Sequence, residues 1–108
     1  MAYARTISGA PRPESLLRII RQLAGEDRIS YLAHALQRMQ QRGFDVFDVK
    51  QVLQHGYIAG PIRAGAKDGE WTVKLVDKLD QTSRKMGVVT IVVREERLLI
   101  KTTEWEDK

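Results

Sequence analysis

Three side chains in the stretch His34-Ala35-Leu36-Gln37-Arg38-Met39-Gln40-Gln41-Arg42-Gly43 have the types and spacing that phosphate chemistry needs. Successive helical residues turn by about 100°, so steps of four bring His34, Arg38 and Arg42 nearly into line. Leu32, Ala35, Leu36 and Met39 gather on another side, so the spacing predicts one packing face and one free polar stripe. Cleaving RNA without a metal takes a base for the 2′-hydroxyl proton, a cation to hold the pentacovalent phosphate, and an acid for the 5′-oxygen. An imidazole exchanges protons near neutrality, so His34 suits the base or the acid, and a cation one turn away favours its neutral, accepting form and with it the base. Arg38 and Arg42 carry planar, permanently charged donors matched to phosphate oxygens. The bland alternative is that His34 is a packing residue and the arginines serve solubility or local ion pairs.

The stripe needs a helix, and the flanking residues supply its ends. Ser30 is placed to cap a helix running to Arg42, and Gly43 offers the left-handed residue that stops it. Before it, Pro13 suits a first helical turn, and Leu16, Leu17, Ile19, Ile20, Leu23 and Ala24 repeat at helical intervals up to Gly25. After it, Asp45 caps a third helix with Asp48 in its first turn, Val46, Val49, Val52 and Leu53 mark its buried side, and Gly56 closes it. Beyond Gly56 the period becomes that of strands, expected near Tyr57–Ala64, Glu70–Leu79, Gly87–Arg94 and Arg97–Trp105. Short connections make these antiparallel. Glu95-Glu96 reads as a tight hairpin and Asp80–Met86 as a mobile polar loop. His55 reads as a C-terminal helix residue near free carbonyls, and Trp71 and Trp105 as core or rim aromatics.

A length of 108 residues suits one compact domain, read as a flexible lead over 1–12 and a single α+β domain over 13–108. Hydrophobic residues at 43% and charged residues at 30% are ordinary for a folded chain and argue against disorder or a fibrous class. No cysteine is present, which excludes disulfides, thiolate metal sites and a cysteine nucleophile together. No acidic cluster has ligand spacing, so neither a metal centre nor a cofactor is expected. The absence of a long apolar run makes no membrane contact and a cytoplasmic location the expectation. A formal net charge of +4 favours an anionic partner such as RNA, DNA or an acidic protein.

The helix ending in Gly25, then HALQRMQQRGFDVFDVKQVLQHGYI, then GEW and a two-stranded ending over residues 18–105 resembles small bacterial domains of unknown function. These carry a His-Ala-x-x-Arg-Met-x-x-Arg-Gly signature and are grouped by fold with RelE-like and colicin-type metal-independent ribonucleases, many of them toxins. Phe44-Asp45 stands where isoleucine-serine is more usual, which leaves the helix cap intact. The resemblance implies N-terminal helices packed on one face of a roughly four-stranded antiparallel sheet. By position it makes His34, Arg38 and Arg42 the signature polar residues and Gly43, Gly56 and Trp71 structural positions. It also implies that a polar residue of the last strand completes the site. Lys101, Thr102 and Thr103 lie there, and the missing acid is expected at Thr102 or Thr103, which alternation puts on opposite faces. The resulting expectation is a metal-independent endoribonuclease, toxin-like, acting on RNA and held inactive by a protein antitoxin. The alternative is a non-catalytic RNA- or DNA-binding module, or a protein-interaction module whose last strand pairs with a partner.

Overall fold

The computed structural model describes residues 10–79 and 83–107. Helix α1 spans Pro13–Gly25, with the proline at its start, where its missing N–H costs nothing. Strand β1 follows at Ile29–Tyr31, then α2 at Ala33–Arg42 and α3 at Val46–His55. Short strands β2 (Tyr57–Ile58) and β3 (Arg63–Ala64) lead into three long strands, β4 (Glu70–Lys78), β5 (Lys85–Val93) and β6 (Arg97–Trp105). They form one six-stranded sheet in the order β1-β6-β5-β4-β2, with β3 also on β4. The α+β class holds, but the sheet has six strands rather than about four, and it is not wholly antiparallel.

Both differences have a physical cause. Ser30 does not cap α2; it lies in β1, which pairs in parallel with β6 through Ile29↔Leu98 and Tyr31↔Ile100. Arg28 O accepts from Leu98 N–H at 2.9 Å, and Leu32 N–H donates to Ile100 O at 3.1 Å, so β1 satisfies an edge of β6 that would otherwise stand open. The short-connection argument for antiparallel pairing does not reach β1 and β6, which lie far apart in the chain. Leu32 becomes the α2 N-cap without a side-chain cap bond. The strand expected over Tyr57–Ala64 is broken in two, because Gly60 takes φ +86 and Pro61 has no N–H for a ladder.

Other boundaries agree more closely. Asp45 and Asp48 form a reciprocal capping box, with Asp48 N–H donating to Asp45 Oδ1 at 2.9 Å and Asp45 N–H to Asp48 Oδ2 at 3.0 Å. Gly43 ends α2 at φ +76, the left-handed conformation that glycine adopts freely. Gly56 has an ordinary φ of −76 and is required for a different reason: a Cβ there would sit 2.6 Å from Val52 O and 2.8 Å from Val76 O. Strand β5 starts two residues before Gly87 and buries Met86 completely, so the polar loop is shorter than expected. Residues 80–82 of that loop, and residues 1–9 of the expected lead, lie outside the described residues.

Cα partners across the ladder share a face of the sheet, which sorts the strands into two sides. Val73 and Leu75 of β4, Val88 and Val92 of β5, and Leu98 and Ile100 of β6 lie on one side and join the core. Over it pack Leu16, Ile20 and Leu23 of α1, Val49, Val52 and Leu53 of α3, and Ala35 and Met39 of α2. Burying such side chains contributes roughly 1.5–3 kcal/mol each and fixes the helices on this side. Leu32, Leu36 and Val46 do not join the core as expected: they are 39%, 49% and 46% exposed. Ala35 and Met39 alone anchor α2, because a helix lying against β6 turns only a narrow stripe inward. No helix among the described residues is long and apolar enough to cross a membrane.

Candidate functional site

Helix α2 carries its signature residues as the spacing requires, but their side chains do not converge. His34 is exposed, while Arg38 and Arg42 are half-buried. Arg38 Nε–H donates to His34 Nε2 at 3.3 Å, and Arg38 Nη1 donates to Gln41 Oε1 at 3.1 Å. Arg38 is thereby held along the helix surface beside the ring.

Arg42, one turn further along α2, takes no part in these bonds. Its Nη1 is buried and makes no hydrogen bond among the described residues. Its charge helps to hold the Glu104 carboxyl below the usual range, an effect led by a hydrogen bond from Lys74. Lys74 Nζ lies 2.9 Å from Glu104 Oε2 and 2.8 Å from Glu106 Oε2. Burial works against the Lys74 ammonium, but the bonds to Glu106 and Glu104 outweigh it and raise its pKa. His34 and Arg42 are eight residues apart, or about 12 Å along the helix axis. One phosphate does not span that distance, so the stripe divides into a His34–Arg38 pair and a separate Arg42.

The register of β6 decides between the two threonines. Val89 pairs with Thr102 but Thr90 pairs with Ile100, so Lys101 bulges out of the ladder and reverses the alternation beyond it. Thr103 therefore falls on the core side, 1% exposed, and its Oγ1 has no hydrogen-bond partner among the described residues. Thr102 falls on the opposite, outer side, in line with Lys74 through Val89. Among the described residues neither hydroxyl bonds to His34, Arg38 or Arg42. Thr103 is sealed from solvent, and Thr102 faces away from the side on which α2 packs.

The Lys74, Glu104 and Glu106 cluster was not picked out by spacing. Two glutamates alternating at the end of a strand are a common surface pattern, and Lys74 stands 30 residues away in sequence. Only the β4–β5–β6 register brings them together. Beside them the Phe44 and Trp105 rings pack at a tilt of 52° with centroids 4.6 Å apart, and the Arg84 guanidinium lies 3.9 Å above the Trp105 ring while its Nε and Nη2 bond to Asp107. This packing ties the Gly43–Phe44 turn, and so the end of α2, to the last strand. Among the described residues no group of three His, Asp or Glu side chains converges to hold a metal ion. Grooves of about 570 and 510 Å³ lie along α3 and beside α1, and His34, Arg38 and Arg42 are not among the residues that line them.

The sequence profile of a domain of unknown function, DUF4258, matches residues 31–105. The chain belongs to this family. The DUF4258 match begins in β1 and ends with β6, so it contains the whole α2 stripe, the β6 bulge and both threonines. It leaves out α1, which nonetheless supplies Leu16, Ile20, Leu23 and Ala24 to the core. No curated protein and no solved structure matches the chain.

Proposed function

We propose that this DUF4258 protein acts on RNA as a metal-independent ribonuclease-type protein, the toxin component of a toxin–antitoxin pair on a RelE-like fold. The observation that carries the reading is the exposed imidazole of His34 with its Nε2 occupied by the Arg38 guanidinium. Substrate exchanges these bonds. The 2′-hydroxyl replaces Arg38 as the donor to Nε2, and the freed guanidinium moves to a non-bridging phosphate oxygen, where its planar donors match the developing charge. The proton passes to Nε2 as the 2′-oxygen bonds to phosphorus and the bond to the 5′-oxygen breaks. Solvent water supplies the proton for the leaving oxygen, because neither Thr102 nor Thr103 is turned toward the pair. The product is a 2′,3′-cyclic phosphate.

The test is RNA cleavage in EDTA with product analysis. His34→Ala abolishes the cyclic product, and Arg38→Ala lowers the rate by about 10²- to 10³-fold, the usual cost of one charge-stabilising donor. Cleavage that survives His34→Ala refutes the assignment. A second reading, a non-catalytic RNA-binding module, is favoured by the burial of the Thr103 hydroxyl and of Arg42 Nη1, which leave the pair without an acid partner. It predicts binding that weakens steeply with salt and with Arg38→Ala, and no cleavage product.

A further inference from the structure

All three helices join the core on one side of the sheet, which leaves the other side without a second layer among the described residues. Along β5, Val88 and Val92 face the helices and are 0% and 1% exposed. Val89 and Ile91 face the other way, are only partly buried and take no part in the core. Leu99 of β6 stands beside Ile91 and continues this apolar strip across the strands. Charge lies at its two ends, in rows of ladder partners on the same outer side. One row is Glu70–Val93–Arg97, read from β4 through β5 to β6. The other is Lys78–Lys85–Glu106, in which Glu106 N–H donates to Lys85 O at 2.9 Å. Each row therefore has opposite signs on its β4 and β6 ends, and the two rows run in opposite senses. Among the described residues Glu70, Lys78 and Arg97 form no ion pair, and Glu70 Oε1 only accepts from the Lys67 backbone N–H at 3.3 Å. Glu106 shares the Lys74 ammonium with Glu104, so two carboxylates there meet one cation of the chain.

We propose that this outer face docks on the same face of a second copy of the chain, about a twofold axis running along β5. Such an axis exchanges the β4 and β6 sides while keeping each row level with itself. Glu70 of each copy then meets Arg97 of the other, and Lys78 of each meets Glu106 of the other. Val89 and Ile91 lie on the axis and pack against their own counterparts, which is the self-complementarity that an isologous interface requires. Lys85 also meets its counterpart, at the rim, where a Glu106 from each copy flanks the pair. Two sheets stacked this way keep their strands within about 30° of one another, so the rows stay in register near the centre. The size is sufficient. Strands of nine residues are roughly 30 Å long and five strands across are roughly 24 Å wide, which gives on the order of 700 Å² per copy. The pair therefore buries on the order of 1,400 Å², within the range of specific interfaces. Helix α2 lies on the far side of the sheet, so the dimer leaves His34 and Arg38 uncovered and does not depend on the RNA reading.

The test is sedimentation equilibrium of the full chain, which is expected to show twice the mass of one chain. Glu70→Lys sets a lysine against Arg97 at two symmetric places and raises the dimer dissociation constant by about 10- to 100-fold. Arg97→Glu does the same by setting a glutamate against Glu70. Mixing the two variants restores the dimer, because each contact in the mixed pair again joins opposite charges. A charge effect confined to one chain does not produce that rescue. His34→Ala leaves the dissociation constant as in the wild type. Circular dichroism of each variant checks that the fold is kept, and the rescue by mixing stands as a control of its own. Three results overturn the proposal: a full chain that stays monomeric at submillimolar concentration, a dimer that neither charge reversal weakens, and single variants that remain monomeric when mixed. A chain that becomes dimeric only when residues 1–9 are removed also overturns it, since that segment and not a second copy then covers the face.

Discussion

Thr103 offers the sharpest measurement, because the same substitution asks whether it is a catalytic group and whether its hydroxyl is a cost to the fold. Thr90 and Thr103 both lie on the core side of the sheet and are both almost fully buried. Thr90 Oγ1–H donates to Leu99 O at 3.1 Å, whereas Thr103 Oγ1 has no partner among the described residues. Replacing either by valine keeps the β-branched shape and exchanges a hydroxyl for a methyl, so the gain in apolar burial is common to both. The difference is the hydrogen bond. An unpaired buried hydroxyl costs about 1–3 kcal/mol, and a satisfied one contributes about 0.5–1.5 kcal/mol net. Thr103→Val is therefore expected to stabilise by about 1–2 kcal/mol, and Thr90→Val to leave stability unchanged or lower it by about 1 kcal/mol. At roughly 4–6 °C per kcal/mol for a domain of this size, the two melting temperatures should part by several degrees. Thermal and urea unfolding measure this, with RNA cleavage followed on the same samples. Thr103→Val melting below wild type, by as much as Thr90→Val, would mean that the hydroxyl is bonded and the reasoning wrong. A folded Thr103→Val that loses cleavage would place Thr103 in the chemistry after all.

Three further outcomes follow from local geometry. Arg94 and Glu95 occupy positive φ at 52° and 59° in the β5–β6 turn, closed by Glu96 N–H donating to Val93 O. This is a primed turn built from residues that resist it, so Glu95→Gly should raise stability by about 1 kcal/mol in chemical denaturation, and a loss would refute the strain. Gly56→Ala pushes a Cβ into Val52 O and Val76 O and should cost about 1–3 kcal/mol, whereas Gly60→Ala meets no atom and is limited to its φ penalty. The Glu104 carboxyl has a folded-state pKa below its unfolded value, so its stabilising effect is present above the ordinary carboxylate range and is lost as pH falls through the depressed value. Acid unfolding of Glu104→Gln should accordingly show a shallower fall in stability below about pH 5 than the wild type; identical curves would remove Glu104 from the linkage.

Much of the local structure was written in residue types. Pro13, Gly43 and the Asp45–Asp48 pair set helix ends through their own backbone and side-chain bonding, which needs no distant partner. The strand at Arg97–Trp105 was legible in full, and those at Glu70 and Gly87 nearly so, because β-branched runs bounded by turns carry their own signal. The presence of His34, Arg38 and Arg42 on one helix was equally local.

What they do together was decided by packing. Whether Ile29–Tyr31 begins a helix or closes a sheet depends on β6 standing beside it with an unpaired edge, more than sixty residues later in the chain. One bulged residue, Lys101, sends Thr103 into the core and Thr102 to the outer face, a parity that no periodic reading of Lys101-Thr102-Thr103 contains. The β4–β5–β6 register sets Glu104 against Lys74, a pair that spacing along the chain does not show. Sequence fixes bonds between neighbours a few residues apart; the meeting of Lys74 with a carboxylate 30 positions on is a property of the assembled sheet alone.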